Sequence, residues 1–151
     1  MKALKHIALL FIALITISSC DNNDDIYEET WFVKDFEVKS NHWELIGNPD
    51  AEGSYYQYVF NGIPAGVPYY DGITTAYLYF GYKTTSEVQT PLPFTEYLIG
   101  EDLNGNEVFY SVQYSYDVKA DGTIAFKAHV SDYYTASINP GTQVFRVAII
   151  W

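Results

Sequence analysis

The sequence predicts an all-β domain built as a two-sheet antiparallel β-sandwich, with a β-barrel as the alternative. Its 15 Tyr, 9 Phe and 3 Trp residues suit a pleated, half-buried surface. From Trp31 onward, apolar and polar residues alternate with the period of two that marks strands. Gly and Pro interrupt these runs at short intervals, as in sandwiches made of many short strands.

The longest alternating run extends from Val108 to Val118. Its apolar members share one parity and are predicted to face the core: Val108, Tyr110, Val112, Tyr114, Tyr116 and Val118. A second alternating run extends from Ile124 to Val130. Between the two runs, residues 119–122 form a turn signal in which Gly122 is free to adopt a positive φ. The pattern predicts a β-hairpin.

A second turn signal, Asn104-Gly105, predicts that a strand near Tyr97–Ile99 pairs with one starting at Glu107. In the last run of the chain both alternating sets are largely apolar. We therefore expect that run to be a central strand covered on both faces. The further predicted strands are Trp31–Val38, Ser54–Phe60, Thr75–Tyr82 and Gln143–Trp151.

The first residues of the chain have the pattern of an export signal. Lys2 and Lys5 precede an apolar run from Ile7 to Ile17, which is shorter than the roughly 20 residues a spanning helix needs. The end of this run, Ile17-Ser18-Ser19-Cys20, resembles the lipobox of bacterial lipoproteins. That resemblance implies that residues 1–19 are removed and that Cys20 is lipidated. Residues 20–30 are then an acidic tether, and residues 31–151 are the β domain.

The acidic run after Cys20, residues 21–25, resembles the surface-export signal of Bacteroidetes lipoproteins. This implies an outer-membrane protein exposed at the cell surface, which is the reading we favour. In enteric bacteria, aspartate at this place implies retention in the inner membrane instead, and a plain solvated tether would also explain the run. Both alternatives stay open.

The β domain also resembles a group of small Bacteroidetes lipoproteins. The resemblance is carried by an early tryptophan strand, here at Trp43, by Leu92-Pro93-Phe94 and by a final strand, here Phe145–Ile150. It implies a lipid-anchored envelope protein. It brings no catalytic residues with it.

Charge and cysteine content restrict the partners. The formal charge is -11, and loss of Lys2 and Lys5 with the leader would make it -13. Such a surface repels polyanions, so we expect no nucleic-acid partner. Because Cys20 is the only cysteine, no internal disulfide or thiolate metal site can form. The expected partners are the membrane, through the lipid anchor, and a glycan or an envelope protein.

No motif in the sequence predicts catalysis, a metal or a cofactor. His42 and His129 lack metal-ligand spacing, and His129 is predicted to be an exposed surface residue. The run from Asp102 starts like a calcium loop, but Glu107 stands where glycine is needed and Gln113 where glutamate is needed. A hairpin turn explains that run equally. We predict a non-enzymatic protein; the alternative from another class is a glycan-degrading enzyme with paired carboxylates.

Tyrosine doublets are the sequence feature with the most functional promise. Tyr69, Tyr70, Tyr133 and Tyr134 lie beside loop signals, where rings can stack on the apolar face of a sugar. We predict these four as ligand-binding residues, although the same rings could simply fill the sandwich. The predicted function is a lipid-anchored binding or structural module. The alternatives are a glycan-binding module and an accessory subunit of a surface assembly that pairs through edge strands.

Overall fold

The computed structural model describes residues 31–61, 63, 72–102, 104–131, 135 and 138–151. Over these residues the all-β prediction is confirmed: the strands form two antiparallel sheets that pack as a β-sandwich and do not close into a barrel. A 3-10 helix, Ser40–His42, follows the first strand. The strands are β1 (Trp31–Val38), β2 (Glu44–Ile46), β3 (Tyr55–Asn61), β4 (Ile73–Phe80), β5 (Val88–Pro91), β6 (Phe94–Glu101), β7 (Glu107–Val118), β8 (Thr123–Val130) and β9 (Gln143–Ile150).

The two sheets have different sizes and orders. The four-stranded sheet runs β1-β9-β4-β5, and the five-stranded sheet runs β2-β3-β8-β7-β6. The predicted β7–β8 hairpin is confirmed, and Gly122 has the positive φ its turn requires, at 80°. The predicted pairing across Asn104-Gly105 is also confirmed, as β6 with β7. The chain passes from one sheet to the other between β5 and β6, through a cis peptide at Leu92–Pro93.

Aromatic rings from both sheets fill the space between them. Phe126 of β8 and Phe145 of β9 stack with centroids 4.2 Å apart. Phe36 of β1 meets Phe60 of β3 edge to face at 4.3 Å. Each buried ring of this kind contributes roughly 1.5–3 kcal/mol relative to exposure. Apolar and polar residues alternate along the strands because every second side chain points into this core and the others face outward.

The final strand, β9, is central in its sheet, as predicted, because it pairs with β1 and with β4. The expectation that both its faces are covered is wrong. Phe145, Val147 and Ile149 are buried, but Ile150 is 54% exposed. The reason is architectural: each sheet of a two-layer sandwich has one outer face, and the described residues place no third layer over this one.

Two further expectations need correction. His129 is half-buried rather than exposed, because its ring stacks on Tyr55 with centroids 4.9 Å apart. Trp43 precedes β2 instead of lying within a strand, and its indole Nε1 donates a hydrogen bond to the Gly141 carbonyl at 2.8 Å. The buried indole is thereby satisfied, as such a donor requires.

Candidate binding face on strands β6 and β7

The residues singled out from the sequence as site residues all lie outside the part of the chain that the structure describes. These are Cys20, predicted to carry lipid, and the four predicted ligand-binding residues Tyr69, Tyr70, Tyr133 and Tyr134. Their roles stay predictions. Within the described residues, a different set of side chains forms an exposed apolar surface.

Large apolar side chains stand exposed together on the outer side of β6 and β7. Tyr97 is 84% exposed, Ile99 61% and Phe109 72%. Ile99 lies directly opposite Phe109, and Tyr97 directly opposite Ser111. Directly paired residues share a face, and the diagonal neighbours Tyr97 and Phe109 are within reach of one another. These side chains therefore form one continuous surface.

This surface has a shallow depression that is lined by two serines as well as by apolar side chains. The depression has a volume of about 450 Å³, and its lining includes Ser111 and Ser131 together with the three apolar side chains. The Ser111 backbone N–H donates to Ser131 Oγ at 3.0 Å. A hydroxyl that accepts one hydrogen bond can still donate its own proton. We call Tyr97, Ile99, Phe109, Ser111 and Ser131 the β6–β7 face.

One margin of the β6–β7 face is acidic and held by a tight turn. Glu101 and Glu107 lie opposite each other, and both are exposed. In the turn beyond them, one Asp102 oxygen accepts the backbone N–H groups of Asn104 at 2.8 Å and Asn106 at 2.9 Å. Hydrogen bonds from Asn106 hold the pKa of Asp102 below its ordinary value. The residues that begin like a calcium loop thus form a hairpin turn, in which this carboxylate caps backbone donors.

The opposite margin leads to a polar cluster on β8 and β3. Lys127 forms an ion pair with Asp117, and its ammonium lies 5.6 Å from the Tyr55 ring centroid. Burial, and to a lesser degree the charge of Lys127, lower the pKa of His129. The imidazole is consequently neutral at neutral pH. The apolar surface is therefore bordered by a paired cluster rather than by an isolated charge.

The strand that carries Tyr97 and Ile99 is an edge strand, since β6 is the last strand in its sheet. Glu96 on this strand lies opposite Val112, which is buried, so Glu96 points to the inner face. Burial raises the pKa of Glu96. An inward-pointing charge is a known protection of edge strands against pairing with another chain. The outward side chains are thus better placed than the strand edge to contact a partner.

Among the described residues, no three His, Cys, Asp or Glu side chains are grouped so that they could hold a metal ion. Nor do those residues include a helix with the length and apolar character needed to span a membrane.

Comparison with protein-family models, curated proteins and solved structures finds no match for this chain.

The sequence pattern did not identify Tyr97, Ile99 or Phe109 as binding residues. Phe109 has the parity of the polar residues Ser111 and Gln113, so it is an aromatic residue on the outward side of the run. That signal was present, but it is hidden by the continuous apolar triplet Val108–Tyr110. Within an apolar triplet, only the parity of the longer run indicates which member faces out.

Proposed function

We propose that the protein is a non-enzymatic binding module, attached to the cell envelope through lipid on Cys20, which holds a partner protein on its β6–β7 face. The observation that carries this proposal is the exposure of Tyr97, Ile99 and Phe109 side by side on a regular pleated surface. Contiguous exposed apolar surface is uncommon on monomeric domains and marks interaction sites. Covering it contributes roughly 25 cal/mol for each Å² removed from water.

The composition of the β6–β7 face supports a protein partner. Aromatic residues are enriched at the centres of protein interfaces, while charged residues are depleted there and polar groups form the rim. Tyr97 and Phe109 supply the aromatic residues, and Ser111 and Ser131 supply polar groups beside them. The inward carboxylate of Glu96 favours docking through side chains over addition of a strand to β6.

Site-specific photo-crosslinking in intact cells tests the proposed docking face. A photoreactive residue at position 109 is expected to give a discrete crosslinked product, which is lost when Tyr97→Ser is added. The matched control is a photoreactive residue at Val59, which is exposed and apolar on the outer face of the same sheet. Crosslinking at position 59 equal to that at 109, or none at 109, contradicts the proposal.

A glycan is the second candidate ligand, because the Tyr97 ring stands beside the Ser111 and Ser131 hydroxyls. A sugar ring can stack on a tyrosine while hydroxyls pair with its own. Glycan-array binding that is lost in Tyr97→Ala but kept in Phe109→Leu would favour this ligand over a protein. Absence of binding to any carbohydrate removes it.

Mass spectrometry tests the proposed attachment separately. The protein purified from membranes is expected to start at Cys20 and to carry fatty acid there. More than one acyl chain is needed for stable anchoring, because each buried methylene contributes about 0.8 kcal/mol and one chain is marginal. An uncut leader or an unmodified Cys20 contradicts the lipid anchor, whatever the β6–β7 face binds.

A further inference from the structure

A second exposed apolar surface lies on the outer face of the four-stranded sheet. Trp31 is 68% exposed, Val33 42%, Ile73 74% and Ile150 54%. Ile150 pairs with Trp31 on one side and with Ile73 on the other, so these three side chains form a row across three strands. We call Trp31, Val33, Ile73 and Ile150 the Trp31 patch.

The Trp31 patch is uncharged. The row next to Trp31, Ile150 and Ile73 consists of Val33, Ala148 and Thr75. The basic residue beside Val33 in sequence, Lys34, belongs to the other parity of β1, and its ammonium lies 4.6 Å from the Phe60 ring centroid. The first charged side chains along the outer face are Asp35 and Arg146, which neutralise each other in an ion pair. A contact with this patch would leave those charges paired.

The position of the patch relative to Cys20 indicates what covers it. Trp31 is the first residue of β1, and ten residues separate it from Cys20. Even fully extended, eleven residue steps span at most about 40 Å. The patch thus lies where the chain from the lipidated residue enters the domain. A lipid anchor at Cys20 would keep the patch within this distance of the membrane.

We propose that the Trp31 patch seats the domain on the lipid surface to which Cys20 anchors it. The inference rests on the lipid attachment proposed above. Tryptophan is enriched at membrane interfaces, where its amphipathic ring sits at the headgroup level. Because the anchor makes the contact intramolecular, the effective concentration reaches the millimolar range and weak affinity suffices. The acidic chain repels anionic headgroups, so the surface recognised is a neutral, zwitterionic one.

Depth-dependent quenching on the full lipidated chain tests this contact. Acylation occupies the Cys20 thiol, so an introduced cysteine is the only thiol available for a fluorescent label. The label is placed at Ile73→Cys, and in separate proteins at Ile150→Cys and, as the control, at Val59→Cys on the other sheet. Each protein is reconstituted into phosphatidylcholine vesicles with and without brominated acyl chains.

Emission from positions 73 and 150 is expected to fall about twofold or more with brominated lipid, because interfacial residues enter about 5–10 Å into the headgroup and acyl boundary. Emission from position 59 is expected to stay unchanged. Adding phosphatidylglycerol is expected to weaken quenching at 73, and salt to restore it. Mutating Trp31→Ser in the Ile73→Cys protein is expected to reduce the quenching.

The outcomes separate this inference from the proposed function. Protein that carries acyl chains and floats with the vesicles, but shows equal quenching at 73 and 59, overturns the seating of the Trp31 patch and leaves the anchor intact. Protein without acyl chains that does not float contradicts the anchor itself. A blue shift at 73 that requires no lipid and grows with protein concentration overturns the inference in favour of a second copy of the chain. A lipid-independent blue shift that is insensitive to concentration overturns it in favour of coverage by residues 21–30.

Discussion

Asp35 and Arg146 form a bidentate ion pair on the outer face of the four-stranded sheet. Arg146 donates from Nε to one Asp35 oxygen at 2.7 Å and from a terminal nitrogen to the other at 3.1 Å. The guanidinium also lies 5.2 Å from the Tyr79 ring centroid. The hydrogen bond from Arg146 holds the pKa of Asp35 below its ordinary value of 3.8. Forked geometry of this kind places the pair at the stronger end of surface ion pairs.

Replacing Asp35 by asparagine is expected to lower the free energy of unfolding by about 1 kcal/mol at pH 7, discounted for partial exposure. Since the folded-state pKa is depressed, the contribution is complete above about pH 5 and is lost as the pH falls through the ordinary value to the folded-state value. The difference between the wild type and Asp35→Asn should therefore shrink in acid. Urea denaturation over a pH series measures it.

The matched control is Glu37→Gln, an exposed carboxylate on the same face of β1. This change should alter the free energy of unfolding by less than about 0.5 kcal/mol. Equal effects of the two substitutions at pH 7 would show that the ion pair adds nothing to stability.

At the scale of the element, β6 combines an outward apolar surface with an inward carboxylate. Burial raises the pKa of Glu96, so ionised Glu96 destabilises the fold at neutral pH. Glu96→Gln should thus raise the free energy of unfolding at pH 7. One pKa unit corresponds to about 1.4 kcal/mol, and partial exposure makes us expect less than that.

The pH dependence identifies the cause of the Glu96 effect. The wild type gains stability as the pH falls from the raised pKa towards the ordinary value of 4.5, because the folded state binds the proton more readily. The advantage of Glu96→Gln should disappear below that value, as measured by urea denaturation. Glu44→Gln, an exposed carboxylate on the other edge strand of the same sheet and opposite the uncharged Gln57, should change the free energy of unfolding by less than about 0.5 kcal/mol at pH 7. A pH-independent gain from Glu96→Gln would mean that charge is not the cause.

Strand length explains which elements could be predicted from the sequence. Strands β7 and β8 have 12 and 8 residues, which is long enough for the alternation of apolar and polar residues to identify their inner faces. Strands β2 and β5 have 3 and 4 residues, too few for an alternating pattern to appear. In strand β9 both alternating sets of side chains are largely apolar. The pattern therefore does not indicate whether the apolar outer face is covered by the chain itself or by another molecule.

The two faces of β9 give a direct stability comparison. Ile149 is 2% exposed and its neighbour Ile150 is on the open face. Ile149→Ala should lower the free energy of unfolding by about 2–5 kcal/mol, through lost burial and the cavity left behind. Ile150→Ala should lower it by less than about 1 kcal/mol. The measurement is urea denaturation of the protein without lipid on Cys20. Equal losses of unfolding free energy from the two substitutions would mean that the outer face of β9 is covered.

For the whole molecule, the two exposed apolar surfaces lie on the outer faces of different sheets. A hydrogen bond between the sheets shows which part of β7 lies nearest the Trp31 patch. The Tyr116 hydroxyl of β7 donates to the carbonyl of Thr74, the residue after Ile73, at 2.9 Å. Phe109 lies seven residues away from Tyr116 along β7, which is about 23 Å of strand. The sheets add roughly another 10 Å of separation. Seating the Trp31 patch on lipid would thus leave the β6–β7 face turned away from the membrane and open to a partner.

The last strand of the chain is also the one that joins its sheet together. Because β9 lies between β1 and β4, removing it takes away the strand that pairs with β1 and one of the two strands that pair with β4. It also removes Phe145, which stacks on Phe126 of the other sheet. A fragment of residues 20–142 is therefore expected to lose the cooperative urea transition of the intact chain, as small single domains unfold in one step. Residues 31–151, which keep all nine described strands, should retain it. A fragment without β9 that still unfolds cooperatively would mean that the five-stranded sheet is stable alone, and that the two sheets do not depend on one shared core.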